Sequence, residues 1–522
     1  MKPHLNITIA NRLGTGYRGG IPVWGHSLHT SRTNRDACCY TANFKKGAYG
    51  QLAIGVVAGL MAIATEPLVN SALTGQSIDA RTQAIAQSTA PATKNQDVIL
   101  KWNKLALEMI QTEKTSPQMA ARNLALLHTA MYDAVNAISK KYKVYQVNIE
   151  APDGTSEEAA AIAAAHRVLT ALYPKQVAKL DAAKAEALTA LASSQPTANN
   201  NSVSIGLSIN PADLFSGKSP IAEPKVSISR PQTDGIKLGE SVADRILALR
   251  KDDGVDAKVE YKPREQVGFW QPIPPDLKPA SMPQWKNVKP FSMSSSSQFR
   301  IANVPSLISP EYLQEYRITK DIGSKDSKVR TPDQTVIAKF WLDESGTVTP
   351  PGRWNQIAAD LAVQRGNTLL QNARLFALLN IALADASIID ADQKYTFSRW
   401  RPITAIRAAD KDDNARTIPD PNWTPLLKTP SSPSYVSGHS TFGGAAEIVL
   451  TSVFGRNTGF TTNADPSLNL APRTFRNFKE AAEEAGMSRI YGGVHWMSDN
   501  RDGLMAGRNL GRYVIQNFLT PR

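Results

Sequence analysis

The stretch Leu369-Leu-Gln-Asn-Ala-Arg-Leu-Phe-Ala-Leu-Leu-Asn-Ile-Ala-Leu-Ala-Asp-Ala-Ser-Ile-Ile-Asp390 decides the fold. Ala373, Leu375, Phe376, Leu379, Ile381 and Ala384 spread apolar character around nearly the whole circumference of a 3.6-residue helix. A helix that is apolar all round belongs inside a core. The spacing therefore predicts a central buried helix over 369–390.

Helical periodicity continues outward in both directions. Leu100, Trp102, Leu105, Ala106, Met109 and Ile110 fall at helical spacing. Ser116-Pro117 opens a second helix with Pro at its first position, running through Met119, Leu124, Leu127, Met131, Val135 and Ile138. Glu157–Leu172, stopped by Pro174, and the Ala-rich Gln176–Leu191 follow, then Ile236–Arg250. Ser309-Pro310 and Thr331-Pro332 are helix-start signals. Trp354–Gln364, Ser440–Phe454, Thr474–Met487 and Arg501–Phe518 complete the set, and strand-like alternation is scarce. The expected fold class is all-α, built from helical bundles. An N-terminal helical region covers 97–309 and a C-terminal helical domain covers 310–522.

Two stretches interrupt the pattern. Residues 195–231, with Asn199-Asn-Asn-Ser, read as an irregular surface insertion. Residues 254–310, rich in Pro, Trp and Phe, read as a long ordered loop crossing the helical core.

The N-terminus differs in kind. Residues 1–44 show no apolar periodicity, and Lys45-Lys46 then precede the uncharged run Leu52–Ala64. That run suits the apolar region of a signal peptide and is short for a membrane span, with small-residue cleavage sites at Ala62-Ile-Ala64 and Val69-Asn-Ser71. Residues 1–64 are thus expected to be a targeting segment of an exported protein, periplasmic or extracellular, and 65–96 a linker. No integral membrane domain is expected.

The net charge of +13 over 522 residues looks like a nucleic-acid signal, but its distribution argues otherwise. Residues 1–64 carry seven Lys/Arg against Asp36, a share of +6 that leaves +7 for the rest. No basic block interleaved with aromatics stands out, so no nucleic-acid partner is expected. The two cysteines, Cys38 and Cys39, are neighbours and suggest neither a disulfide framework nor a zinc site. Any metal ligand must then be a histidine.

Candidate chemistry gathers near the C-terminus. Lys394 and Arg401 are seven apart, which puts them on one face if the helix is continuous; Pro402 argues that a new helix starts there. A solvated basic face with Arg399 and Arg407 is the plainer reading of that stretch alone. Ser437-Gly438-His439 directly precedes an apolar helix, where backbone N–H groups and the positive dipole end favour an anion. Taken alone, it is an N-cap. His495 and Asp499 stand i, i+4, so a carboxylate can fix the imidazole tautomer and leave the other nitrogen as ligand or nucleophile. Arg489 adds a fork of donors. Together these residues describe a pocket for a tetrahedral or trigonal-bipyramidal oxyanion. Of the other histidines, His4, His26 and His29 lie in the targeting segment, and His128 and His166 read as packing residues.

The three blocks Lys-x6-Arg-Pro, Ser-Gly-His and Ser-Arg-x5-His-x3-Asp resemble the signature shared by vanadium-dependent haloperoxidases and type 2 phosphatidic acid phosphatases. The resemblance extends to Trp102-Asn-Lys-Leu-Ala-Leu, to Ala125–Ile138, to Arg330-Thr-Pro-Asp-Gln-Thr and to Ala373–Ala382, and covers roughly 97–520 outside the insertion. It implies two helical bundles, with the oxyanion site mainly in the C-terminal, catalytic one. It further implies that His495 binds vanadium and that Asp499 orients it. Lys394, Arg401 and Arg489 would neutralise vanadate oxygens with Ser437 and the Gly438 N–H, and His439 would act as acid/base. Hydrogen peroxide and a halide would be the partners, giving hypohalous acid, with room for a small organic acceptor and for a homo-oligomer. Three positions depart from relatives: Val436 stands where many have Pro, Ala391 where an aromatic is common, and Ser432 where chloride-oxidising fungal relatives have an aromatic. Bromide or iodide is therefore expected over chloride.

Two competing readings use the same pocket. In one, the protein is a soluble acid phosphatase with no cofactor: His495 attacks phosphorus, a phosphohistidine forms, and His439 protonates the leaving oxygen. The mean hydropathy of −0.29 argues against the integral-membrane lipid phosphatases. In the other, the pocket only binds phosphate, which would not require an imidazole oriented by Asp499.

Overall fold

The computed structural model describes residues 97–193, 203–204 and 227–522. The stretch 1–64 expected to be a targeting segment, with Cys38 and Cys39, the expected linker 65–96 and most of the 195–231 insertion lie outside these residues.

Thirteen α-helices follow one another among the described residues. In the first part of the chain they are α1 (Val98–Thr112), α2 (Pro117–Ser139), α3 (Glu157–Leu172), α4 (Val177–Ser193) and α5 (Arg230–Leu249). Then come α6 (Pro310–Gly323), α7 (Pro332–Phe340), α8 (Thr349–Arg365), α9 (Leu369–Phe397) and α10 (Pro402–Arg407). The last three are α11 (Gly438–Phe454), α12 (Phe478–Tyr491) and α13 (Met497–Asn517). Among the described residues, sheet is confined to two antiparallel pairs, β1 (Val203–Ser204) with β2 (Ser227–Ile228) and β3 (Phe460–Thr462) with β4 (Arg473–Phe475).

The helix starts carry the expected chemistry. Ser116, Ser309 and Thr331 each accept a backbone N–H of the first turn, ahead of a Pro. Thr368 and Gln371 form a reciprocal capping box that fixes the start of α9. The expected helix over 474–487 is the main difference. Residues 473–475 pair as β4, and Asn477 caps a helix that begins only at Phe478.

The central helix is real and longer than expected. α9 has 29 residues and ends where Ser398 turns left-handed at φ 51°. It packs on α2 along one side and on α8, α11 and α13 along others. One group, α2, α3 and α5, thus shares this helix with a second, α11, α12 and α13. Leu375, Phe376, Leu379 and Ile381 are fully buried. Each such side chain contributes about 1.5–3 kcal/mol by leaving water.

The polar residues of α9 anchor the loop that crosses it. Residues 250–309 contain no α-helix, only a short 3-10 turn at Pro283–Asn287. Asp385 accepts the backbone N–H groups of Phe291, Ser292 and Met293 at 2.6, 2.7 and 3.0 Å. Ser387 accepts the Trp285 indole N–H at 2.8 Å, and Asp392 takes a two-pronged contact from Arg300. A buried carboxylate is tolerated here because the loop's N–H groups replace its water.

α11 and α13 cross at near-backbone contact. A Cβ on Gly507 would lie 2.2 Å from the Thr441 carbonyl oxygen, so only glycine fits. This crossing brings the N-termini of both helices, and hence Ser437 and Asp499, to the same place: the Ser437 N–H donates to the Asp499 carbonyl at 3.0 Å.

Candidate active site

Lys394 lies in the last turn of α9, and Arg401 lies beyond it, as the residue preceding Pro402 of α10. They do not share a continuous helix; the left-handed Ser398 turns the chain so that both side chains line one cleft. That cleft, about 830 Å³, is also lined by Asp390, Gly438, His439, Arg489 and His495.

His495 and Asp499 meet by a different route from the one the spacing suggests. His495 precedes α13, whose first residue is Met497; Asp499 is in its first turn. The carboxylate folds back over the helix start. Its Oδ2 accepts the Trp496 backbone N–H at 3.0 Å and His495 Nδ1 at 3.0 Å, and also the Ser434 hydroxyl. A carboxylate oxygen can only accept, so Nδ1 carries the proton and Nε2 the lone pair. Among the described residues, the hydrogen-bond partner of Nε2 is Arg401 Nη1, at 3.0 Å.

Burial disfavours the Asp499 charge, but Arg399 at 3.0 Å, with His495 and Ser434, holds its pKa well below the usual carboxylate range. Arg399 is not a solvated residue. It is buried between Asp499 and Glu315, and Glu315 in turn accepts the backbone N–H and hydroxyl of Ser498 at 3.0 and 2.6 Å. Glu315 comes from α6, some 180 residues away, and nothing in the sequence pointed to it.

The cations are held at different degrees of completion. Arg401 donates to the Ser432 carbonyl at 2.7 Å, to the Ser432 hydroxyl at 3.1 Å and to the Val494 carbonyl at 2.8 Å. Lys394 donates to the Ser434 carbonyl at 3.2 Å and to the Val436 carbonyl, and pairs with Asp390 Oδ1 at 3.2 Å. Arg489, at the end of α12, is 4% exposed, yet its Nε and Nη1 have no hydrogen-bond partner among the described residues. Burial lowers the pKa of Arg401 and of Arg489 to about 10, which leaves both charged at neutral pH. Burial also lowers that of Lys394.

α11 opens into the same space. Ser437 is its N-cap and is fully buried. His439, half-buried, donates Nε2–H to the Trp341 carbonyl at 2.9 Å, so a neutral ring keeps its lone pair on Nδ1. Burial, together with Arg489 for His439 and Arg401 for His495, pulls both imidazoles well below their ordinary pKa. Gly493, at φ 73°, sits with its Cα against Gly323: a Cβ there would meet the Gly323 carbonyl at 2.3 Å. This contact seats α12, and so Arg489, against α6.

The structure thus brings together every residue singled out from sequence: Lys394, Arg401, Ser437, Gly438, His439, Arg489, His495 and Asp499. It adds Asp390, Arg399, Glu315 and Ser434. His128 is buried and stacked on Phe376, and His166 pairs with Asp181, both away from the cleft.

Residues 374–520 match the family model described as the VCPO second helical-bundle domain. The chain is 26% identical to the vanadium chloroperoxidase of Curvularia inaequalis, over 82% of this chain and 83% of that protein. Among solved structures, the first bacterial vanadium-dependent iodoperoxidase aligns with TM-score 0.67 at 25% identity, covering 82% of this chain and 98% of its own. A holo-type bacterial vanadium-dependent chloroperoxidase aligns with TM-score 0.56 at 16% identity, over 77% of this chain and 92% of its own, a likeness of fold alone. By sequence and by architecture, the chain is similar to vanadium-dependent haloperoxidases over most of its length.

Proposed function

We propose that this protein is a vanadate-dependent haloperoxidase that uses hydrogen peroxide to oxidise bromide or iodide, in preference to chloride, to hypohalous acid. The observation that carries the reading is Arg489: a buried guanidinium with two unpartnered nitrogens is costly unless an anion completes it.

The donor set fits vanadate. Among the described residues there is no group of three or more His, Cys, Asp or Glu side chains able to hold a bare metal ion. The site instead offers imidazole lone pairs at His495 Nε2 and His439 Nδ1 and a ring of cations, a set that suits an oxyanion with one nitrogen ligand and one acid/base. His495 Nε2 would be that ligand, in place of its contact with Arg401. Lys394, Arg401 and Arg489 would carry the anion's charge, with the Ser437 hydroxyl and the Gly438 N–H at the positive end of α11. Bound vanadate supplies Lewis acidity toward hydrogen peroxide without a change of oxidation state.

The chain's own residues do the remaining work. Asp499 fixes the His495 tautomer, and Arg399 keeps Asp499 ionised. His439, whose neutral ring holds its lone pair on Nδ1, would take a proton there from hydrogen peroxide and give it to an oxygen of the bound anion, which would depart as water. Leu342, Phe442 and Leu427 form an apolar stretch of the cleft wall that offers water no hydrogen-bonding side chain.

Two observations support bromide or iodide. Ser432, where chloride-oxidising fungal relatives carry an aromatic, here holds Arg401 with both its carbonyl and its hydroxyl. The iodoperoxidase aligns over nearly its whole length.

The test uses purified protein with and without orthovanadate, following peroxide-dependent halogenation with iodide, bromide and chloride beside phosphate-ester hydrolysis. Halogenation that requires vanadate and is blocked by phosphate is the expected result. Hydrolysis inhibited by vanadate, with no halogenation, would make the protein a phosphatase.

A further inference from the structure

Asp390 is an anomaly in a pocket for an anion. It lies one turn before Lys394 on α9, lines the cleft, and is 3% exposed. Its carboxyl group lies over Gly438: a Cβ built on that glycine would stand 3.3–3.5 Å from all three carboxyl atoms. A carboxylate at the positive end of α11 therefore stands where the helix would otherwise face the ligand. Its Oδ1 makes the 3.2 Å ion pair with Lys394 and is otherwise without a hydrogen-bond partner among the described residues.

The charges of the inner site can be counted. Lys394, Arg399, Arg401 and Arg489 face Asp390, Asp499 and Glu315, all buried; His495 donates Nδ1–H to Asp499 and accepts from Arg401 at Nε2, and His439 gives one N–H to the Trp341 carbonyl, so neither ring adds a charge. Four cations against three carboxylates leave one positive charge. Moving the proton within the Lys394–Asp390 pair does not alter this count. Asp343, which also approaches Arg489, is cancelled by Arg353 at 2.7 Å. The charged groups at the mouth, Lys278, Lys325, Lys428, Asp276 and Glu344, are exposed, so water and salt screen them.

We infer that Asp390 is a specificity-determining residue that matches the pocket to a singly charged oxyanion and disfavours doubly charged ones. The inference rests on the oxyanion-site reading above and deepens it. Orthovanadate is mainly a monoanion near neutral pH, whereas phosphate monoesters are largely dianions. One carboxylate thereby tilts the shared pocket away from phosphoryl substrates and toward vanadate. It also makes Lys394 choose between its own carboxylate and the ligand.

Charge and shape separate cleanly in a pair of probes. Perrhenate and tungstate are tetrahedral oxyanions of similar size that differ by one charge. Removing a fixed negative charge favours each ligand in proportion to the ligand's own charge. Binding of each to apo protein is measured by titration calorimetry at one pH near neutral, for wild type, Asp390→Asn, Asp390→Ala and Asp390→Ser. Circular dichroism selects the variants that fold. The expected result is a gain of about tenfold for perrhenate and about a hundredfold for tungstate, the second factor close to the square of the first. Equal changes for the two anions, or a loss for both, would mean that Asp390 only positions Lys394, and would overturn the inference alone. Wild-type protein that binds neither anion would overturn the oxyanion reading and this inference with it.

Discussion

Replacing Asp499 by Asn keeps the shape of the side chain and removes its charge. The carboxylate takes four donors: His495 Nδ1, the Trp496 N–H and the Ser434 hydroxyl on Oδ2, and Arg399 on Oδ1. An amide has one acceptor oxygen, so its NH₂ must face either Arg399 or the other three donors. Breaking a buried pair from one side costs about 3–5 kcal/mol. Arg399 keeps Glu315, so the lower end, about 3 kcal/mol, is expected. A carboxylate that orients a metal-binding imidazole is worth roughly 10–100-fold in affinity. Urea unfolding of the apo protein reads the first quantity, and calorimetric titration with orthovanadate the second. Asp499→Asn that binds vanadate within about twofold of wild type, with stability lowered by less than about 1 kcal/mol, would refute the assigned role.

Arg489→Met should separate stability from function. It removes a buried cation with two unpartnered nitrogens, so apo stability rises by about 1–2 kcal/mol in thermal unfolding while vanadate binding is lost. Gly507→Ala should destabilise by at least about 1–3 kcal/mol, since its Cβ would overlap the Thr441 carbonyl; urea unfolding checks this. His128 gives a pH signature. Burial depresses its pKa to about 3 in the folded state, so below about pH 6.5 the unfolded state binds the extra proton. Stability from this group is therefore full above pH 6.5 and falls by about 1.4 kcal/mol per unit toward pH 3. In His128→Leu, that much of the slope between pH 6 and 4 should vanish from urea unfolding curves.

The helices were legible because their causes are local. Ser, Thr and Asp caps, Pro at the first position and apolar periodicity set most starts and stops, and α9 was read as central from its all-round apolar surface. Its extension from Asp390 to Phe397 was not read, because Asp392 and Gln393 look like a helix turning polar. They are buried only because the 250–309 loop brings a backbone N–H and Arg300 to them. The site shows the same division. Of the residues with fixed spacings, Lys394, Arg401, Gly438, His439, Arg489 and His495 line one cleft, with Ser437 and Asp499 buried directly behind it. Glu315 and Ser434 reach the cluster through tertiary packing that no spacing encodes. Arg399 was read as a solvated charge because its two carboxylate partners, on α6 and α13, are distant in sequence. Asp390 was within reach: an acid one turn before a site lysine is an i, i+4 pair. The His495–Asp499 contact was expected from that same spacing, but it arises from a carboxylate closing over a helix start.

The central claim is that His495 Nε2 is the single protein ligand of a vanadate held otherwise by charge and hydrogen bonds. X-ray absorption at the vanadium edge, on wild type and His495→Ala reconstituted with orthovanadate, measures this directly. The account predicts one imidazole nitrogen in the vanadium shell of the wild type and an all-oxygen shell, with weaker binding, in the variant. An all-oxygen shell in both, with equal affinity, would contradict it.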